Sequence, residues 1–211
     1  MAKTTSGQVV IAAANLESIQ VEVRGTAPYV QAKFAEKAKR MIREKQEAGS
    51  RAKANRQKDA RDFEADFVAA QHVAEDGWNG IPATAFRSAM IAACRLVDMT
   101  MVHARMAVFI EADGFDADDG TPLVRIKSET GPEMSVLPVR NASGVADLRS
   151  RPMWRRWGAT VRITYDADIL DATAVVNLLS RAGLQVGIGE GRPLSKKSDG
   201  QGWGTFVVVA D

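Results

Sequence analysis

Four stretches of the chain carry apolar residues the way strands do, and two carry them at helical spacing. Ile19, Val21 and Val23 alternate with Gln20, Glu22 and Arg24, the period-two pattern of a half-buried strand. Pro82 opens a helix on which Phe86, Ala89, Met90, Ala93, Cys94 and Val97 share one apolar stripe. A second strand is expected over 106–110. A third lies where Val161, Ile163 and Tyr165 alternate with Thr160, Arg162 and Thr164. Asp171 is placed to cap a helix carrying Ala174, Val175, Leu178, Leu179 and Ala182, with Gly183 as its stop. Residues 205–209 make the fourth strand. The predicted order is βαββαβ, an α+β, ferredoxin-like (RRM-like) core in a single domain over 1–211, interrupted by two large insertions.

The first insertion, 26–81, joins the first strand to the first helix. Between 33 and 61 it holds Lys33, Lys37, Lys39, Arg40, Arg43, Lys45, Arg51, Lys53, Arg56, Lys58 and Arg61. Only Glu36, Glu44, Glu47 and Asp59 oppose them, leaving seven net positive charges. Phe34, Ala38, Met41 and Ile42 keep a partial helical stripe, so a basic amphipathic helix is expected. One-signed charge of this density suits phosphate contact; the alternative is a solvated face that keeps the protein soluble.

The second insertion, 113–157, separates the second and third strands and is expected to be a β segment. It begins with Asp113, Asp116, Asp118 and Asp119. That turn lacks the ligand spacing and closing glutamate of a calcium loop, so no metal is expected there. It ends with Arg149, Arg151, Arg155 and Arg156 interleaved with Trp154 and Trp157. Guanidinium groups can hold phosphates while indoles stack on bases. The competing reading is an edge strand whose tryptophans cover the sheet.

Near the C-terminus, Gly187, Gly189 and Gly191 are followed by Arg192, Lys196 and Lys197, then by Gly200, Gly202 and Gly204. Such a loop can set backbone N–H groups and positive charge against phosphates. It can equally be a turn region without a ligand. Pro193 prevents a following helix and the P-loop spacing is missing, so a mononucleotide site is not expected.

Composition narrows the picture. At 211 residues and 45% hydrophobic the chain can bury an ordinary core. A net charge of +2 means that any nucleic-acid partner must be met by local patches. The single cysteine, Cys94, excludes an internal disulfide and a cysteine-rich zinc site and suits a reducing cytosol. No apolar run reaches the roughly 18–20 residues of a membrane span, and residues 8–14 do not form an export signal, so a cytoplasmic protein is expected. His72 and His103 have no metal-ligand spacing, and Ser88 has no neighbouring activating pattern. His103 is the one candidate general base. No cofactor is expected.

Three passages resemble the RAMP superfamily, the RRM-like proteins that include backbone and RNA-processing subunits of CRISPR effector complexes, and its relatives encoded by tailed phages and prophages. They are 19–30 (IQVEVRGTAPYV), 80–94 (GIPATAFRSAMIAAC) and 183–193 (GLQVGIGEGRP) with 203–206 (WGTF). The resemblance implies a protein of phage or prophage origin in a bacterial host cytosol. It implies binding of single-stranded RNA or DNA by side-by-side subunits in a helical filament. Insertion 113–157 would then act as a thumb between bases, and 26–81 would line the groove. The superfamily's catalytic branch has a histidine near the first helix; the helix at 83–97 has none, which argues against an enzyme. The alternatives are a metal-independent endoribonuclease using His103, a CRISPR-interfering mimic of a backbone subunit, and a structural protein with incidental basic charge.

Overall fold

The computed structural model describes residues 13–33, 62–140, 146–195 and 200–209. The expected basic helix of the first insertion therefore lies outside the described residues. Strand β1 (Leu16–Gly25) extends the predicted alternation in both directions, with Val21 and Val23 buried. Its partner β9 (Gly158–Asp166) alternates over nearly its whole length, burying Ala159, Val161, Ile163 and Tyr165. With β4 (Val108–Glu111) and β10 (Phe206–Val208) they form one antiparallel sheet in the order β10-β1-β9-β4. The fold is α+β.

Two helices cover one face of that sheet. Helix α2 (Ala83–Ala93) turns Phe86, Ala89, Met90 and Ala93 inward, as its stripe requires. Helix α4 (Ala172–Arg181) buries Val175, Leu178 and Leu179, and the Asp171 carboxylate accepts from the Ala174 N–H at 2.7 Å as the expected N-cap. Phe206, Trp157, Tyr29 and Trp154 form a chain of ring contacts with centroids 5.5–6.0 Å apart, closing one end of the core.

Two boundaries differ from expectation for physical reasons. Thr100 caps a short helix α3 (Met101–Ala107), so Met106 and Ala107 are helical and β4 starts only at Val108. Gly183 does not stop α4: the chain widens into a π-type turn over Ala182–Val186 and reverses at Gly187, whose φ is 69°. A Cβ at Gly183 would collide with the carbonyl oxygen and ring of Phe206. Gly183 is small for close approach to β10, whereas Gly187 supplies the left-handed conformation.

The insertions build two smaller sheets. Strand β2 (Tyr29–Val30) pairs with the base of β8 (Ala146–Trp154), which pairs along its length with β7 (Glu133–Arg140). Helix α1 (Phe63–Ala69) packs on β8. Strand β3 (Gly80–Pro82) runs into α2 and pairs with β6 (Pro122–Arg125), which pairs with β5 (Gly114–Phe115). The second insertion is thus largely β, with a long hairpin that only the two pairs Tyr29–Trp154 and Val30–Met153 join to β2.

Candidate functional site

The π-type turn and the glycine-rich loop after it stand opposite α2, and the space between them is a cavity of about 870 Å³. Helix α2 contributes Thr84, Ala85, Ser88 and Ala92 from one face, at the i, i+4 spacing that lines up side chains along a helix. Val186, Ile188 and Leu194 make the apolar wall across from it. The helix starts at Pro82 without a side-chain cap, so its first turn brings unsatisfied N–H groups to the cavity mouth.

His72 reaches the cavity from the first insertion and is clamped at both ends. The Gln31 side chain accepts from the His72 backbone N–H at 2.8 Å, and the buried Asp116 carboxylate lies 2.7 Å from His72 Nδ1. With Nδ1 turned to Asp116, Nε2 is the ring's remaining polar atom, in a residue only 8% exposed that lines the cavity. The other oxygen of Asp116 meets the Lys33 ammonium at 2.6 Å, and the same ammonium meets Asp118 at 2.6 Å. Burial pushes the Asp116 carboxyl up, but the Lys33 ammonium, the Asp118 amide and the His72 ring outweigh it and hold it below the usual carboxylate range. Burial likewise disfavours the Lys33 ammonium, yet its two carboxylate partners raise it above the ordinary lysine value.

That geometry corrects the reading of Lys33. Its side chain is 4% exposed and ion-paired, so it anchors the start of the basic segment and cannot track phosphates. The acidic turn also has a structural role: Asp116 Oδ1 accepts from the Asp118 amide at 2.9 Å and pairs with Lys33. His72, Asp116 and Asp119 do bring ligand atoms within 4.8 Å of one another, but Lys33 already supplies the positive charge there.

Trp154 is a second correction. It is 2% exposed and Trp157 4%, both in the core ring cluster, so neither offers a base a stacking surface. The arginines around them divide by partner. Arg151 donates to Glu190 at 2.7 Å, Arg155 to Glu133 at 2.7 Å, and Arg149 lies 3.6 Å from Asp147. Arg156 is exposed. The more exposed pairs of Arg155 and Arg149 contribute about 0–1 kcal/mol and can open for a phosphate, whereas Arg151 and Glu190 are part-buried. Lys37, Arg40, Arg43, Lys45, Arg51, Lys53, Lys196 and Lys197 lie outside the described residues.

The loop glycines close on the chain's own backbone. Gly187, Gly189 and Gly191 have φ of 69°, 77° and 72°. A Cβ on Gly189 would sit 2.5 Å from the Val30 oxygen, which also accepts from the Glu190 amide at 2.9 Å. Their tightness shapes the cavity wall and leaves no slot there for a neighbouring subunit's backbone. Arg192 folds back, its Nη1 donating to the Gly189 carbonyl at 2.9 Å, and its head group lines the cavity.

Ser88 and His72 border one cavity although nothing in their sequence neighbourhood joins them. His103, the expected base, sits exposed on α3 beside a separate groove lined by Val97, Ile169 and Leu184. The i, i+4 spacing of Thr84, Ser88 and Ala92 was the one available signal, a face of small and hydroxyl side chains opposite the apolar stripe. No protein-family model and no curated protein sequence matches the chain.

Proposed function

We propose that the protein is a non-enzymatic binder of single-stranded nucleic acid, built on a ferredoxin-like βαββαβ core of the RAMP type and assembling side by side along the strand. The observation that carries this reading is the strand order. In terms of the core strands it is fourth-first-third-second, all antiparallel, with α2 and α4 on one face and a long hairpin inserted between the second and third strands. Beyond the buried Lys33 the basic segment keeps six net charges, and the chain re-enters the described fold at Asp62 and α1, which packs on that hairpin.

The open face of the sheet is a poor platform for bases. Its carboxylates are paired with neighbouring cations or hydroxyls, Arg24 being the exposed cation without a partner among the described residues, and Phe109, the one ring on it among the described residues, lies 5.0 Å under the Arg87 guanidinium. The strand therefore runs along the insertions. Affinity for a long single strand should fall by roughly 0.7 log units per phosphate contact for each decade of salt. Exchanging Lys37, Arg40, Arg43 and Lys45 for Gln should flatten that slope, with electron microscopy reporting filaments that lengthen with the strand. An unchanged slope would reduce the segment to a solvated face.

One observation favours a second reading, metal-independent RNA cleavage: a buried histidine oriented by a buried carboxylate at the cavity between α2 and the glycine-rich loop, the arrangement of a general base. Incubating end-labelled RNA with the protein and with His72→Ala decides between them. Discrete products that vanish in the variant would replace the binding-only reading.

A further inference from the structure

We infer that the cavity between α2 and the glycine-rich loop is a binding site for a nucleotide phosphate, either a free nucleoside monophosphate or the phosphorylated end of a strand. This goes beyond the strand-binding reading, because the described residues that line the cavity include none of the basic side chains between 33 and 61.

The charge balance points to an anion. Arg95 and Arg192 both line the cavity, and neither has a carboxylate partner among the described residues; they donate to the carbonyls of Ala92 and Gly189. Glu190, the one carboxylate of the lining, is held by Arg151 at 2.7 Å. The uncapped first turn of the eleven-residue helix α2 adds backbone donors and the positive end of its dipole. The hydroxyls of Thr84 and Ser88 have no hydrogen-bond partner among the described residues, so both are available to a ligand.

Recognition of the rest of the ligand follows from the walls. His72 is nine-tenths buried, and Gln31 and Asp116 fix its backbone and ring, so Nε2 is a preset polar contact. Gln31 itself is fully engaged, donating to Tyr29 and Gly80. The alanines of α2 with Val186, Ile188 and Leu194 offer apolar contact to a flat base, and the volume suits a ligand of nucleotide size. Arg95 follows the C-terminal end of α2, about 16 Å along the helix from its first turn, so the cavity carries anion donors at both ends with an apolar slot between them, which matches a phosphate joined to a nucleoside.

Calorimetry on the full chain tests this with UMP, AMP, uridine and inorganic phosphate, and with short oligonucleotides carrying a 5′-phosphate, a 3′-phosphate or neither. Saturable binding of the phosphorylated probes, weaker by about tenfold or more for uridine and for the unphosphorylated oligonucleotide, is expected. Binding of the monophosphates identifies a free nucleotide as the ligand; binding of phosphorylated ends alone identifies a strand terminus. Arg192→Ala and Arg95→Ala should each lower that affinity about tenfold, and Ser88→Trp should abolish it. Arg95→Ala and Ser88→Trp should leave binding of a long unphosphorylated strand unchanged, which separates this site from the strand-binding surface. Equal affinity for UMP and uridine, no saturable binding of any phosphorylated probe, or undiminished binding in both arginine variants would overturn the proposal.

Discussion

The two faces of the four-stranded sheet use charge in opposite ways. On the open face Glu22 takes Lys127 on both oxygens at 2.8 Å, and Arg162 reaches Asp113 at 2.9 Å. Glu111 accepts from Thr164 and Ser18 at 2.6 and 3.2 Å. Most formal charges there are met by a neighbour on the surface; exposed Arg24, on the same side of β1 as Glu22, has no partner among the described residues. On the helix side the charges are separated: Asp116, His72 and Lys33 lie buried behind the cavity, while Arg95 and Arg192 stand at it without a carboxylate partner among the described residues. Electrostatics on the first face are settled within the fold, and on the second they are left open toward a ligand. A polar surface alone does not mark a site; an unbalanced one beside a cavity does.

The largest expected effect breaks the cavity wall itself. Gly204 has φ of 65°, and a Cβ there would collide with the carbonyl of Ile188. Gly204→Val should cost about 4 kcal/mol or more and leave a partly unfolded chain by urea titration and circular dichroism. Gly189→Val should also lower stability, since its Cβ meets the Val30 oxygen at 2.5 Å. Loss of assembly in that variant would therefore reflect the fold, not a subunit contact.

Next comes the buried chain behind the cavity. Asp116→Ala leaves the Lys33 ammonium with only the exposed Asp118, and a stability loss of about 3–5 kcal/mol is expected. The pH dependence has a definite sign. Because the Asp116 carboxyl is held below its unfolded value near 3.9, its stabilisation is present above about pH 4 and is lost as pH falls below that. The Lys33 ammonium is raised, so its share persists below about pH 10.4 and disappears as pH rises through the folded value. Thermal melts of the native chain and Asp116→Ala should differ most between these limits and converge in acid. A constant difference down to pH 2 would detach the effect from the ion pair.

This contrast also explains what the sequence could reveal. The strands of the main sheet were legible because one face is buried and alternation of Val21, Val23, Val161 and Ile163 records it directly. The α2 and α4 stripes and the Asp171 cap were legible for the same local reason. The cavity was not. His72 is 44 residues from Asp116 and 41 from Gln31, and Lys33 is 83 from Asp116, so no window of sequence contains the cluster. The Arg/Trp run misled because interleaving records alternation without saying which face points inward; Trp154 belongs to the inner one. Gly183 and Gly187 look alike in sequence, but one is small for a neighbour's carbonyl and the other for its own φ.

The smallest expected effect tests the open face. Glu22→Gln removes a carboxylate that the Lys127 ammonium and the Thr160 hydroxyl hold below its usual range, and both partners are well exposed, 55% for Lys127 and 39% for Glu22. A stability change of about 1 kcal/mol or less is expected. The same substitution leaves Lys127 unbalanced and makes this face more positive. If the strand runs along the basic segment and the hairpin, away from the open face where Lys127 of the second insertion meets Glu22, affinity for a long single strand should change by less than about twofold, a surface charge more than a Debye length from the phosphates being largely screened. Tighter binding by Glu22→Gln with a steeper salt slope would mean that phosphates do reach Lys127. The sheet face would then be part of the interface, and the contrast between the two faces would lose its functional meaning.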